Sequence, residues 1–185
     1  MNRELFDIVV SWLIISLCFS ISSIFYNFSQ FPMIFLICAG TAGIGFLFHE
    51  IAHKISAERS GYRAYYKIWP LGVIMALAIS ILSKGSFVFA ALGAVYIIPI
   101  FMQGEKQSYG KIALSGPFMN LLLAFIFLIM SNWMRILYIG YEINAWLAAF
   151  NLIPFHPLDG SKVFAWSKLI WLIFAAISWI MVFLS

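Results

Sequence analysis

Long apolar runs separated by short polar segments dominate the chain. About 20 consecutive apolar residues are enough for a helix to cross the hydrocarbon core of a bilayer. Runs of roughly this length cover residues 8–25, 32–54 and 111–130. The pattern therefore predicts a membrane-spanning helix in each of these three segments.

The remaining apolar segments are shorter or interrupted. Residues 69–82 form an apolar run of about 14 residues, which is short for a crossing. Residues 87–102 are rich in β-branched and aromatic side chains, which is typical of strands. Because an open strand cannot face lipid, we expect this region to be buried against protein or to lie at the interface. A short, tilted helix pair is the alternative.

Two prolines divide the last apolar part of the chain. A helix that begins near Asn144 must be interrupted by Pro154 and Pro157, and the run over 171–184 completes a final span. The whole pattern predicts an all-α polytopic membrane protein with about five to six transmembrane helices. A short membrane-associated β region is expected around residues 87–102. We expect residues 1–185 to form a single domain.

Composition agrees with this prediction. Hydrophobic residues make up 64% of the 185 residues and charged residues only 10%, whereas a soluble globular protein carries about 25% charged residues. The formal net charge of +4 comes from scattered basic residues, so it does not indicate a nucleic-acid partner. Cys18 and Cys38 both lie inside apolar runs and are interpreted as small buried side chains.

The distribution of basic residues predicts the orientation in the membrane. We take the N-terminus as cytoplasmic and residues 69–102 as entering and leaving the membrane on the same side. Among the basic residues, only Lys84 and Arg135 then lie on the far side of the membrane. The basic residues then on the cytoplasmic side are Arg3, Lys54, Arg59, Arg63, Lys67, Lys106, Lys111, Lys162 and Lys168. By the positive-inside rule we expect a multi-pass protein of the cell membrane with this orientation.

The second apolar run contains the most informative segment, residues 46–54, which read FLFHEIAHK. His49 and His53 are four residues apart, so a helix presents both imidazoles on one face. Glu50 follows His49 directly. Two imidazoles that bind a metal and a carboxylate that accepts a proton from water are what a hydrolytic zinc site requires. Ionisable groups are costly at membrane depth and therefore indicate function.

A zinc site of this kind needs a third protein ligand, with one position left for water. Asp159 is the candidate because it lies in the proline-interrupted segment NLIPFHPLDG, residues 151–160. A broken helix within a membrane exposes backbone groups that protein or water must satisfy, which indicates a wet internal cavity. His156 in the same segment is the competing candidate, as a ligand or as a partner of Asp159.

These segments together resemble the intramembrane site-2 protease family of zinc metalloproteases. HExxH, then GPxxN at residues 116–120, then the NxxPxxPLDG pattern occur in the family's order. The resemblance is to minimal prokaryotic or archaeal members without accessory domains, with a catalytic core over about residues 32–160. It implies one Zn²⁺ per chain held by His49, His53 and Asp159. It also implies Glu50 as the catalytic acid/base.

The resemblance implies further roles and partners. Asn120 and Asn151 are expected near the scissile carbonyl, as a catalytic and a substrate-binding residue respectively. The alternative for Asn120 is a hydrogen bond between helices near the kink at Pro117. The expected function is hydrolysis of peptide bonds in or near transmembrane segments of membrane-spanning protein substrates, within the lipid bilayer. An edge strand over residues 87–98 is expected to hold the substrate extended. The alternatives are a zinc-binding membrane transport protein and a proteolytically inactive relative.

Overall fold

The computed structural model describes residues 3–99 and 106–184 of the protein, which are mostly helical. The helices are α1 (Arg3–Tyr26), α2 (Phe31–Cys38), α3 (Ile44–Arg59), α4 (Pro70–Leu82), α5 (Lys106–Met130), α6 (Tyr138–Asn151), α7 (Asp159–Trp166) and α8 (Lys168–Phe183). The strands are β1 (Tyr62–Ile68) and β2 (Gly93–Pro99). Two short 3₁₀ segments precede α2 and α6.

Three helical stretches of the described residues are long and apolar enough to cross a membrane. They are Arg3–Tyr26, Phe28–Arg59 and Lys106–Met130. Each contains most of one predicted full-length apolar run, and α4 and α8 are shorter apolar helices. These findings support a membrane protein with several spans, and the count of five to six stays a prediction.

A π-helical turn joins α2 to α3 within the second long stretch. It covers Ala39–Gly43, and the carbonyl of Ala39 accepts a 3.1 Å hydrogen bond from the indole N–H of Trp12. A side chain at Gly43 would overlap the same indole. The glycine therefore lets α1 pack closely against the start of α3, the helix that carries the paired histidines.

The sheet is an antiparallel pair with Tyr62 opposite Pro99 and Ile68 opposite Gly93. The prediction of a β region around residues 87–102 is correct only in part. Residues 87–92 are not in a strand, and residues 100–102 lie outside the described residues. Strand β1 was not predicted from the sequence, because Arg63 and Lys67 interrupt its apolar pattern. Its alternating burial is the period expected of a half-buried strand.

The outer edge of β1 is covered by carboxylates of α1. The N–H of Tyr66 donates to Glu4 Oε1 at 3.0 Å, and the N–H of Ile68 donates to Asp7 Oδ2 at 3.3 Å. Glu4 also pairs with Lys54 Nζ at 2.7 Å, which ties the sheet to the residue that follows His53. An exposed strand edge is a template for pairing with other chains, and here it is closed.

The outer edge of β2 is open among the described residues. The N–H groups of Tyr66 and Ile68 point away from β2. In an antiparallel pair the residues opposite them, Val95 and Gly93, therefore point their own N–H groups away from β1. Ile97 has the same direction by the alternation of the strand. These groups therefore face the opposite side from the covered edge of β1.

Tyr66 fixes the sheet to the helical core. Its ring packs edge-on against Phe46 of α3, and its hydroxyl lies 2.8 Å from the Ser11 hydroxyl of α1. Burial raises the pKa of Tyr66, which keeps the phenol neutral as a hydrogen-bonding group. α5 packs against α3, α6 and α7, and α3 also contacts both strands, so α3 links these helices to the sheet.

Candidate metal centre

Three buried side chains from two distant parts of the chain converge. His53 Nε2 lies 2.9 Å from His49 Nε2 and 3.0 Å from Asp159 Oδ2, and His49 Nε2 lies 3.2 Å from the same oxygen. The histidines are on α3, while Asp159 begins α7 after the predicted interruption of the helix. All three are largely buried.

The other nitrogen of each imidazole is already engaged. His53 Nδ1 lies 2.7 Å from the carbonyl oxygen of Ile112, which only accepts, so the nitrogen carries the hydrogen. His49 Nδ1 lies 2.6 Å from Asn120 Oδ1. Metal-binding histidines are commonly oriented by a hydrogen bond from Nδ1–H. This bond leaves a lone pair on Nε2 that can bind the metal.

This arrangement fits a metal ion. Two Nε2 lone pairs and a carboxylate oxygen face one another without hydrogens to share between them, which only a cation between them makes favourable. The three distances are close to the roughly 3.3 Å expected between ligands of a tetrahedral zinc with bonds of about 2.0–2.1 Å. The group also matches the donor set that zinc accepts.

A glycine of α5 leaves the space beside these nitrogens. A Cβ atom at Gly116 would meet Nε2 of both His49 and His53. The absence of a side chain at this position therefore keeps the ligand nitrogens accessible.

Glu50 borders the same cavity as the three candidate ligands, and one of its carboxylate oxygens is unused. The residue is 8% exposed, and its Oε2 atom has no hydrogen-bond partner among the described residues. A buried carboxylate oxygen is costly to leave unpaired, and such atoms occur where a function requires them. The position beside the ligands suits a group that accepts a proton from water.

A cavity of about 380 Å³ opens onto this group of residues. Its walls include the β2 residues from Gly93 to Ile97 and also Asn151. Asn151 also donates to the Leu147 carbonyl at 3.0 Å. His156 borders the cavity and is exposed, but it does not belong to the group of convergent ligand atoms.

Asn120 is completely buried, and both atoms of its amide group are engaged. Its oxygen faces His49, and its nitrogen donates to the Gly45 carbonyl and to Asn144 Oδ1, each at 3.1 Å. The structure thus places Asn120 behind His49, on the side away from the ligand nitrogen.

Two further residues belong to the surroundings of the site and were missed by sequence reasoning. Asn144 contacts Asn120, and Lys162 Nζ lies 3.4 Å from Asp159 Oδ1. A polar residue inside an apolar helix was the available signal for Asn144. For Lys162 the signal was its position one helical turn after Asp159.

Comparison with known proteins finds a similar sequence. The chain is 36% identical over 181 residues to a protein of Methanocaldococcus jannaschii named "Putative zinc metalloprotease". The match covers 93% of this chain and 88% of the relative. No protein-family model and no solved structure matches the chain.

Proposed function

We propose that this chain, which belongs to the same family as the Methanocaldococcus jannaschii protein named "Putative zinc metalloprotease", hydrolyses peptide bonds within the membrane. The substrates proposed are membrane-anchored proteins, cut in or near their transmembrane segments, as in the site-2 protease family. One observation carries the proposal. Two imidazole nitrogens and a carboxylate oxygen converge within 3.2 Å beside a free carboxylate oxygen of Glu50.

The proposed ligands of the metal are His49, His53 and Asp159, with one Zn²⁺ per chain. A zinc ion bound there supplies Lewis acidity, which polarises a carbonyl and makes water reactive at neutral pH. The hydrogen bonds at both Nδ1 atoms hold the imidazoles in the tautomer that such binding requires. The absence of a side chain at Gly116 supports the same assignment.

Glu50 is proposed to act as the acid/base. Its carboxylate accepts a proton from the attacking water, and the same proton then passes to the leaving amine as the C–N bond breaks. The unpaired Oε2 atom is available for this step. Asn151 borders the cavity and is proposed to contact the substrate near the scissile carbonyl. For Asn120 we propose that orienting His49 is the main contribution to catalysis.

The substrate is proposed to bind in an extended conformation along β2. A helical segment hides its peptide bonds in its own hydrogen bonds, so it must unwind before cleavage. β2 borders the cavity, and its open edge offers the N–H groups of Val95 and Ile97 for strand addition. Glu4 and Asp7 close the other edge of the sheet, which supports binding at β2 alone.

The membrane arrangement belongs to the same proposal. We propose that α4, α6–α7 and α8 complete a bundle of five to six spans around the three long helices. The N-terminus and the metal site lie toward the cytoplasm of a cell membrane, as the basic residues predict. Water then reaches the cavity from that side.

The test is cleavage of a model transmembrane segment by the purified protein in detergent. We expect about one zinc per chain, cleavage that a chelator abolishes and added zinc restores, and a Glu50→Gln variant that binds zinc but does not cleave. A zinc-loaded parent protein without cleavage would favour a transport protein or an inactive relative instead. Normal cleavage by Glu50→Gln would exclude the assigned acid/base.

A further inference from the structure

A series of buried amide groups connects His49 to helix α6. Asn120 Oδ1 lies 2.6 Å from His49 Nδ1, and Asn120 Nδ2 donates to Asn144 Oδ1 at 3.1 Å. Asn144 Nδ2 in turn donates to the Gly140 carbonyl at 2.9 Å. Both asparagines are 0% exposed, so water does not compete for these hydrogen bonds. Such polar groups inside an apolar bundle are costly unless they are fully paired.

Backbone carbonyls determine which way each amide points. An asparagine amide has an oxygen that accepts and a nitrogen that donates two hydrogens. The carbonyl of Gly140 only accepts, so Asn144 must turn its nitrogen to that side and its oxygen toward Asn120. The carbonyl of Gly45 lies 3.1 Å from Asn120 Nδ2 and likewise only accepts.

The orientation of the amides fixes the tautomer of His49. Asn120 has its nitrogen between the Gly45 carbonyl and Asn144 Oδ1, so it presents its oxygen to His49. His49 Nδ1 must then carry the hydrogen, and Nε2 keeps the lone pair that faces His53 and Asp159.

We infer that Asn144 is a positioning residue, which acts through Asn120 to keep His49 in the tautomer that binds metal through Nε2. This inference rests on the metal site of the proposed function. Without the oxygen of Asn144, the Asn120 nitrogen loses one of its two acceptors. A reversed Asn120 amide would donate to His49 Nδ1 and move the imidazole hydrogen to Nε2. That hydrogen would point toward Asp159 Oδ2, 3.2 Å away, and would stabilise a metal-free state.

Gly45 supplies an independent observation for the same contact. A Cβ atom at Gly45 would overlap Asn144 Oδ1. The position of Asn144 between α3, α5 and α6 therefore depends on a residue without a side chain in α3. The missing side chain at Gly45 of α3 leaves the space that the Asn144 amide group occupies.

The first measurement is metal affinity of the detergent-solubilised full chain, with Co²⁺ as the probe and its visible absorption as the signal. Loss of an outer partner of a metal-binding histidine weakens metal binding about 10- to 100-fold. Because Asn144 acts one hydrogen bond further out, we expect Asn144→Leu to weaken Co²⁺ binding about tenfold. The exposed Asn132→Leu is the matched control and should bind like the parent.

The second measurement is the tautomer of His49 in the metal-free protein, read from imidazole ¹⁵N shifts. We expect the Nδ1–H form in the parent and a growing share of the Nε2–H form in Asn144→Leu. If that variant does not fold, Gly45→Ala displaces the same oxygen and should give the same change. Parent affinity and an unchanged tautomer in the folded variant would overturn the inference.

Failure of this inference is distinguishable from failure of the proposed function. A parent that binds Co²⁺ and zinc but cleaves no substrate refutes the proposed function and leaves the role of Asn144 intact. A parent that binds neither metal refutes the metal site itself. A parent that cleaves, with an Asn144→Leu variant of unchanged affinity and tautomer, refutes only the inference.

Discussion

Gly116→Ala gives the most direct test of the metal centre, because it adds a single methyl group beside the proposed ligands. The new Cβ atom would lie 2.6 Å from His49 Nε2 and closer still to His53 Nε2. Ordinary van der Waals contact begins near 3.4 Å, so the His49 ring must withdraw by about 0.8 Å. Zinc–ligand distances vary by only about ±0.2 Å. The two imidazoles therefore cannot both stay in position.

The expected loss of zinc affinity in Gly116→Ala follows from the free-energy cost of overpacking. Extra methyl groups in a packed interior cost about 1–3 kcal/mol. In the metal-free protein the imidazoles can shift away from the methyl group by lengthening their Nδ1 hydrogen bonds, whereas a bound metal fixes both Nε2 atoms. The cost therefore falls mainly on the metal-bound state. We therefore expect zinc affinity to fall roughly 10- to 100-fold, since about 1.4 kcal/mol is a factor of ten. The metal-free protein should keep its helical content.

The assay is competition for zinc against a chromophoric chelator, together with thermal unfolding in the presence and absence of zinc. Gly40→Ala is the matched control, because a Cβ at Gly40 meets nothing within 4 Å. Both variants gain similar helix propensity from alanine. Zinc should raise the melting temperature of the parent and of Gly40→Ala, and much less that of Gly116→Ala. If Gly116→Ala binds zinc as tightly as the parent, the ligand nitrogens do not face this glycine and the site is wrong.

Three further predictions concern the third ligand and the sheet. Asp159→Asn should weaken zinc binding more than about 100-fold, whereas His156→Ala should change it little; the reverse order, by the same competition assay, would transfer the ligand role to His156. Ile97→Pro should raise the KM for a transmembrane substrate about 3- to 10-fold and should retain zinc. The reason is the loss of one main-chain hydrogen bond, which is worth about 0.5–1.5 kcal/mol. An effect equal to that of the control Ile97→Ala would argue against strand addition. Glu4→Ala should lower the unfolding free energy by about 1–2 kcal/mol, because the Tyr66 N–H loses its acceptor; an unchanged melting temperature would show that the covered edge adds no stability.

The sequence alone determined the features that depend on local spacing. Apolar runs of about 20 residues predicted the long helices, because length and hydropathy are properties of a continuous segment. The four-residue spacing of His49 and His53 predicted that both imidazoles share one face of α3. The prolines predicted the interruption before Asp159, because proline removes a helical hydrogen bond wherever the chain later packs.

Only the tertiary structure decided which distant groups meet. His53 and Asp159 are 106 residues apart, and no local rule fixes the contact between them. Strand β1 could not be predicted locally, because its hydrogen bonds come from β2 and from a carboxylate of α1. Both of these partners are remote from β1 in sequence. The orientation of Asn120 likewise depends on Asn144 and Gly45, which only the packing of α3, α5 and α6 brings together. Local periodicity determines which side chains share one face of a helix. Packing determines which distant residues that face contacts.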